Sequence, residues 1–273
     1  MCPHCRAFIT TDDRICPYCE TVVGPKQIDR RSPGPIFGGL IPHAQFVTVM
    51  ILLINFALYI ATTLASMQAG NHNAISGLDT RTLVNFGAKW GPAIFAGQWW
   101  RLVMAGFLHG GIVHILMNSW VLFDVGSVAE EMYGASRLIV IYFVSTITGF
   151  LVSTYWSPGV VSIGASAPIM GLIGAMIALG MRSSTPGGSM IRGFYIRWAI
   201  FGLVLGLWPG VDNAAHVGGV AGGFLTGYIA GAPKLIDNWV EKFWRAACGI
   251  SLAATAYCFL RMFLWLLSQR SPL

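Results

Sequence analysis

Residues 46–66 read FVTVMILLINFALYIATTLAS, a run without a single charge. At about 1.5 Å of rise per residue it makes a helix of about 30 Å, the thickness of a bilayer's hydrocarbon core. The rest of the chain has the same character. Of its 273 residues, 55% are hydrophobic and only 10% charged, against about 25% charged in a soluble domain. Mean hydropathy is +0.64. That leaves too little polar material to cover a soluble globule. Apolar residues throughout exclude disorder, and the 33 Gly follow no collagen period. The composition therefore specifies an all-α polytopic membrane protein.

Working outward from the first run, further apolar segments lie at about 102–125, 136–156, 165–182, 194–209, 214–232 and 246–267. With the first they make seven helices. The segment 165–182 is short and Gly-rich, which suits a central helix screened from lipid by its neighbours. The polar stretch 67–99 is longer than an ordinary helix connection and is expected to have structure of its own. Basic residues set the orientation. With the N-terminus inside, Arg6, Arg14, Lys26, Arg30, Arg31, Arg137, Arg182, Arg192, Arg197, Lys234, Lys242 and Arg245 fall inside, and Arg81, Lys89, Arg101 and Arg270 outside. Seven spans then place the C-terminus outside. The formal charge of +6 reads as topology, and Arg6, Arg14, Arg30 and Arg31 are too few to make a nucleic-acid interface.

Cysteine usage divides the chain. Cys2, Cys5, Cys16 and Cys19 form two C-x-x-C knuckles, C-P-H-C and C-P-Y-C, separated by ten residues. Paired knuckles suit tetrahedral Zn²⁺, each supplying two thiolates. The ion replaces a core that about twenty residues cannot build. A disulfide pair is the alternative, and His4 inside the first knuckle is a possible substitute ligand. Four Cys leave no open position, so the expected role is structural, in a zinc-ribbon-like domain over residues 1–22. Reduced cysteines put this end in the cytoplasm. Cys248 and Cys258, on the last apolar segment, read as packing residues. Residues 23–45 are rich in Gly and Pro and read as a linker.

Polar residues inside apolar segments are costly and need a reason. Ser166, in Gly164-Ala165-Ser166-Ala167-Pro168, opens the segment 165–182. It either caps that helix or acts as a nucleophile beside free backbone N–H groups. His216 opens another segment, with Gly219 and Gly223 three and seven residues on, along the same face. Such a stripe lets a second helix approach closely. If that helix carries Ser166, the imidazole meets the hydroxyl, and a base in reach activates a serine. His114 and Asn118 share a face at i and i+4. They serve either as interhelical hydrogen-bonding groups or as donors to an oxyanion. Glu130 and Glu131, with Tyr133, Gly134 and Arg137, read as an interfacial polar cap and turn.

Trp100-Arg101 after a long first loop, His114-x-x-x-Asn118, Glu130 with Gly134, Gly164-x-Ser166 and Asn213-x-x-His216-x-x-Gly219 occur in this order. That succession resembles the rhomboid family of intramembrane serine proteases, over about residues 45–232. The resemblance implies a six-helix core at 46–232 and a seventh helix in 233–273. It implies a Ser–His dyad of Ser166 and His216, with an oxyanion hole from His114, Asn118 and the Ser166 backbone N–H. Gly164, Gly219 and Gly223 would pack the helices at the site. The first-loop Trp100-Arg101 would lie partly in the outer leaflet. Two positions depart from the usual pattern. Ala167 stands where a Gly normally follows the serine, and Met170 where some members place an aromatic residue against the histidine.

The function implied is cleavage of transmembrane-helix substrates near the outer membrane face, in a lipid bilayer, with no cofactor for catalysis. An inactive rhomboid-like protein that binds transmembrane clients is the alternative, and Ala167 is its only support. The ribbon is a candidate site for a cytoplasmic partner. With no targeting presequence in this sequence, the expected location is the bacterial plasma membrane.

Overall fold

Helix α1, Phe46–Gln68, takes up the uncharged run. The structure is a computed structural model that describes residues 2, 4–5, 15–21, 45–233 and 238–270; the linker at 23–45 thus lies outside the described residues except for its last position. Two compact units divide the chain, Met1–His43 and Ala44–Leu273. The larger unit is helical, and among the described residues an isolated bridge between Lys89 and Ser162 is its β-type pairing. Among the described residues three helices are long and apolar enough to cross a membrane, Phe46–Gln68, Ile112–Trp156 and Trp239–Gln269, with Ser166–Arg182 a shorter apolar one.

The polar stretch after α1 has structure of its own. Asp79 N-caps α2 (Thr80–Asn85), its carboxylate accepting from the Thr82 N–H at 2.8 Å. Helix α3 (Gly91–Phe95) has Pro92 in its first turn, where a missing N–H costs nothing. Helix α4 (Arg101–Met104) runs into a 3₁₀ turn, Ala105–Phe107. The expected segment 102–125 is therefore two elements. Gly110 and Gly111 interrupt it, and α5 (Ile112–Trp156) begins only beyond them. Buried Arg101 anchors α4. It donates to Gln98 Oε1 at 2.7 Å and to the carbonyls of Val84 and Ala88 at 2.5 and 3.2 Å.

Helix α5 has 45 residues, about 67 Å if straight, twice a bilayer's hydrocarbon core. It is not straight. Gly134 breaks it at φ 73°, ψ 160°, a left-handed backbone that glycine adopts without steric penalty. Its two arms fold back, because Gly164, just past its far end, lies against His114 and Asn118 near its start. Glu130, buried near the break, caps α1. Its carboxylate accepts from Val47 N–H at 2.9 Å, and from Thr48 N–H and Thr48 Oγ1 at 2.8 Å each.

Helix α6 (Ser166–Arg182) is the centre: thirteen of its seventeen residues are buried. An apolar helix covered all round needs small residues to let its neighbours in. Helix α7 (Pro186–Leu205) starts eight residues before the expected 194. Hydropathy misses that start because Arg192 and several Gly dilute it. The cap does not, since Thr185 Oγ1 accepts from the Gly188 N–H at 3.2 Å and Pro186 follows at N1. Helix α8 (Asn213–Ala230) packs its glycine face on α6. Helix α9 (Trp239–Arg270) is tied to the α5 break by a two-pronged ion pair, Arg137 to Glu241, at 2.8 Å for each prong.

Candidate active site

The start of α6 is set by Gly164, at φ +125°. Its N–H donates to the Ala105 carbonyl at 2.9 Å. A Cβ there would come within 2.8 Å of His114 Nε2 and 3.4 Å of Asn118 Nδ2. Only glycine lets these two side chains stand so close to the backbone that leads into Ser166. Ala165 occupies the N-cap and Ser166 is the first helical residue. Capping therefore does not explain the serine, whose hydroxyl makes no hydrogen bond among the described residues.

Helix α8 is positioned by its own glycines. A Cβ on Gly219 would overlap the Ala167 carbonyl, and one on Gly223 would stand 2.5 Å from the Gly171 Cα. His216 is one turn before Gly219, on the same face of α8 and toward the start of α6. Asp212 fixes the entry to α8. One carboxylate oxygen accepts from the Ala215 N–H at 3.1 Å and the other from the Ser153 hydroxyl. Asn213 Nδ2 donates to the Leu203 carbonyl at 3.1 Å, joining α8 to the end of α7. The Asp212 cap was legible as an Asp before an apolar helix, but spacing could not reveal its bond to Ser153.

Ser166, His216, His114 and Asn118 all line one cavity of about 1010 Å³. His216 is 6% exposed, and among the described residues neither ring nitrogen makes a hydrogen bond of good geometry. Asn118 Nδ2 is likewise buried without an acceptor. A buried donor left unmade costs about 1–3 kcal/mol, a cost more readily borne at a site that binds something. His114 Nδ1 accepts from the Gly110 N–H at 3.3 Å. The neutral ring then carries its proton on Nε2, the nitrogen beside Gly164. His109 is buried edge-on to His114, with centroids 5.2 Å apart, and it does not line the cavity. The chemistry available is thus a hydroxyl and an imidazole on facing helices, with two side-chain donors on a third.

The two departures from the motif face different neighbours, and of the two Ala167 points away from the cavity. Ala167 is fully buried among Ile94, Leu102, Ala105, Phe150 and Ala215, and its Cβ faces Gly149 of α5. It is not part of the cavity wall. Met170 lines the cavity with its thioether against Gly202 of α7.

In the N-terminal unit, the sulfurs of Cys2, Cys5, Cys16 and Cys19 all lie within 4.8 Å of one another. Cys2 faces Cys19 at 3.5 Å and Cys5 faces Cys16 at 3.6 Å, so each knuckle offers one sulfur to each pair. These separations exceed the S–S bond of a disulfide, about 2.05 Å. They suit four sulfurs each about 2.3 Å from a tetrahedral ion. Hydrogen bonding from Thr21 draws the Cys19 thiol down from its ordinary value to about 5, toward the thiolate that a metal needs. His4 is exposed, and the metal-capable group holds the four cysteines. Cys258 is buried and Cys248 half-buried in α9.

Residues 96–233 match the Rhomboid domain family model. The chain is 40% identical over 219 residues to Rhomboid protease GluP of Bacillus subtilis (strain 168), covering 78% of this chain and 40% of that protein. It is 34% identical over 167 residues to RHOMBOID-like protein 7 of Arabidopsis thaliana, covering 60% and 53%. It is 31% identical over 222 residues to Rhomboid-like protease 2 of Toxoplasma gondii, covering 78% and 75%. The chain therefore spans about half the length, or less, of the first two of these relatives. The chain belongs to the rhomboid family and is a multi-pass membrane protein with an all-helical core.

Proposed function

We propose that this rhomboid-family member is an intramembrane serine endopeptidase that cleaves transmembrane-helix substrates near the outer membrane face. Ser166 is the nucleophile and His216 the general base and acid. The observation that supports this most is that both line one cavity with His114 and Asn118, on helices held at backbone contact by glycine. In the reaction, His216 takes the Ser166 proton as Oγ attacks the scissile carbonyl. The carbonyl oxygen becomes an oxyanion, held by Asn118 Nδ2, His114 Nε2 and the Ser166 backbone N–H. The intermediate collapses and the amine leaves with the proton from His216. Water, deprotonated by the same imidazole, then hydrolyses the acyl-enzyme. Gly164, Gly219 and Gly223 act as positioning residues. The Ser166–His216 pair closes to hydrogen-bond length on substrate binding, as catalytic pairs commonly do.

The core is residues 46–232, with the seventh helix in 233–273, the ribbon at 1–22 and a linker between. The four cysteines hold a structural Zn²⁺, which stabilises the ribbon fold; no catalytic step involves it. The N-terminus lies in the cytoplasm, the C-terminus outside, and the membrane is a bacterial plasma membrane. The ribbon is the place for a cytoplasmic partner. Client binding without cleavage loses its support, because the Ala167 methyl turns toward Gly149 and away from the cavity.

The test is cleavage of a tagged single-span substrate by purified protein in liposomes, beside Ser166→Ala. Cleavage by the wild type and none by Ser166→Ala is expected. Cleavage retained by Ser166→Ala sinks the assignment.

A further inference from the structure

Asp124 is a carboxylate in the first arm of α5, and nothing in the reaction uses it. That arm runs from Ile112 to the break at Gly134, about 33 Å at 1.5 Å per residue. Asp124 is twelve residues in, about 18 Å along, near the middle of the span. Its side chain is exposed, between exposed Phe123 and Val128 at 46% and 40%. Among the described residues no hydrogen bond or ion pair reaches its carboxylate. A charge at mid-bilayer is costly, and such residues normally face a cavity or partner.

The helical register shows which way Asp124 faces. Met117, Trp120 and Val121 line the cavity, and Asp124 is seven, four and three residues beyond them, on the same face. Across the opening, Trp198 and Gly202 of α7 line the cavity. Tyr195 lies three residues before the first and seven before the second, again on one face. Tyr195 is close enough to feel the Asp124 carboxylate. The two stripes thus continue the cavity's α5–α7 side downward, and the carboxylate stands on that continuation. The buried charges of this unit, by contrast, have partners. Arg101 has carbonyls, Arg137 has Glu241, and Glu130 has the first turn of α1.

We propose that Asp124 is a specificity residue, which selects transmembrane substrates carrying a Lys or Arg in the cytoplasmic half of the span. This rests on the protease reading for its substrate class, while the contact itself is a binding event. The distance fixes the register. The start of α6 lies level with His114 and Asn118, and Asp124 is ten and six residues below them. That is about 9–15 Å of helix. The basic residue therefore sits about six to ten helical residues below the cleaved bond. A substrate helix seated between α5 and α7 brings this cation to the carboxylate, and each removes the other's uncompensated charge from the hydrocarbon.

Binding is measured without catalysis, in phosphatidylcholine liposomes, by energy transfer from labelled single-span peptides to the Ser166→Ala protein. One peptide is Leu/Ala throughout its span; the others carry one Lys scanned along it. Lys six to ten residues below the site should bind about 3–30-fold more tightly than Leu, the range of a polar contact between helices in a bilayer. In Ser166→Ala/Asp124→Asn that ratio should fall to near one. In Ser166→Ala/Asp124→Lys the preference should pass to a Glu peptide, a gain that misfolding cannot give. An equal Lys-to-Leu ratio with and without Asp124, or no register dependence, overturns the proposal. Asp124-dependent Lys preference in a protein that never cleaves would sustain it while removing the protease reading.

Discussion

Replacing Gly223 by alanine adds one methyl group where the structure has room for none. The new Cβ would stand 2.5 Å from the Gly171 Cα. Carbon atoms in contact sit about 3.5–4.0 Å apart, so α6 and α8 must separate by about 1–1.5 Å there. The obstacle is backbone, so no rotamer relieves it. Nor does tilting α8, since Gly219 already meets Ala167 on one side, and a Cβ on Gly227 would be 2.7 Å from the Ala175 Cα on the other. Overpacking of this kind costs about 1–3 kcal/mol, offset in part by about 1 kcal/mol of helix propensity. The effect on chemistry is larger, because α8 carries His216 and α6 carries Ser166. A misplacement of about 1 Å can cost about 100-fold in rate. Thermal unfolding in detergent and cleavage in liposomes, measured on the same preparation, separate the two effects. Gly249→Ala on α9 is the matched control, since a Cβ there meets nothing within 4 Å; it should raise stability slightly and leave cleavage unchanged. Wild-type cleavage and unfolding temperature in Gly223→Ala would refute glycine contact as the device that aligns the pair.

Glu130→Ala leaves the buried N–H groups of Val47 and Thr48 without an acceptor, and should cost about 2–6 kcal/mol, from about 1–3 for each donor; a loss below about 1 kcal/mol in reversible unfolding in bicelles contradicts the capping role. Burial raises Asp79, but hydrogen bonds from Thr82 and Ser66 outweigh it and hold this carboxyl below its usual value. A lowered folded-state value means its stabilisation is present above the ordinary carboxylate range, about 3.9, and is lost as pH falls through the folded value. The wild type should therefore lose unfolding temperature between pH 5 and about 3 more steeply than Asp79→Asn, and parallel slopes would contradict this. The purified chain should carry one zinc per molecule. Releasing it with a chelator should expose Cys19 to alkylation without slowing cleavage; absence of metal from protein purified under reducing conditions would remove the zinc assignment.

The fold and the site were legible to different depths. Composition and the charge-free run at 46–66 specify a helical membrane protein, because a bilayer penalises unpaired backbone and leaves helices as the solution. The run 102–111 read as part of a span because hydropathy averages over Gly110 and Gly111, which end one element and begin another. The start of α7 escaped for the opposite reason, since its first turn is polar and only Thr185-Pro186 marks it. Ser166 and His216 were visible as polar residues at helix starts. That their helices meet was legible only through the glycines, which state where one helix touches another. What no pattern could give was long-range pairing. Glu130 reads as a turn residue until α1 is seen to begin on it, and Arg137 until α9 brings Glu241.

Ala167 shows why a motif is best judged by where a side chain points. On spacing alone, a methyl next to the nucleophile crowds the oxyanion. In the fold, successive residues of the first turn of α6 face different neighbours. Ser166 faces the cavity, while the Ala167 Cβ faces Gly149 and its carbonyl faces Gly219. The methyl group fills space that Gly149 leaves by having none, in a cluster with Ala105, Phe150 and Ala215. Met170 makes a similar exchange, its flexible thioether lying on the bare backbone of Gly202. In both places the side chain on α6 is matched by a glycine on the helix it meets. The substitutions are therefore changes in how the helices interlock, and Ser166, His216, His114 and Asn118 line one cavity with them in place.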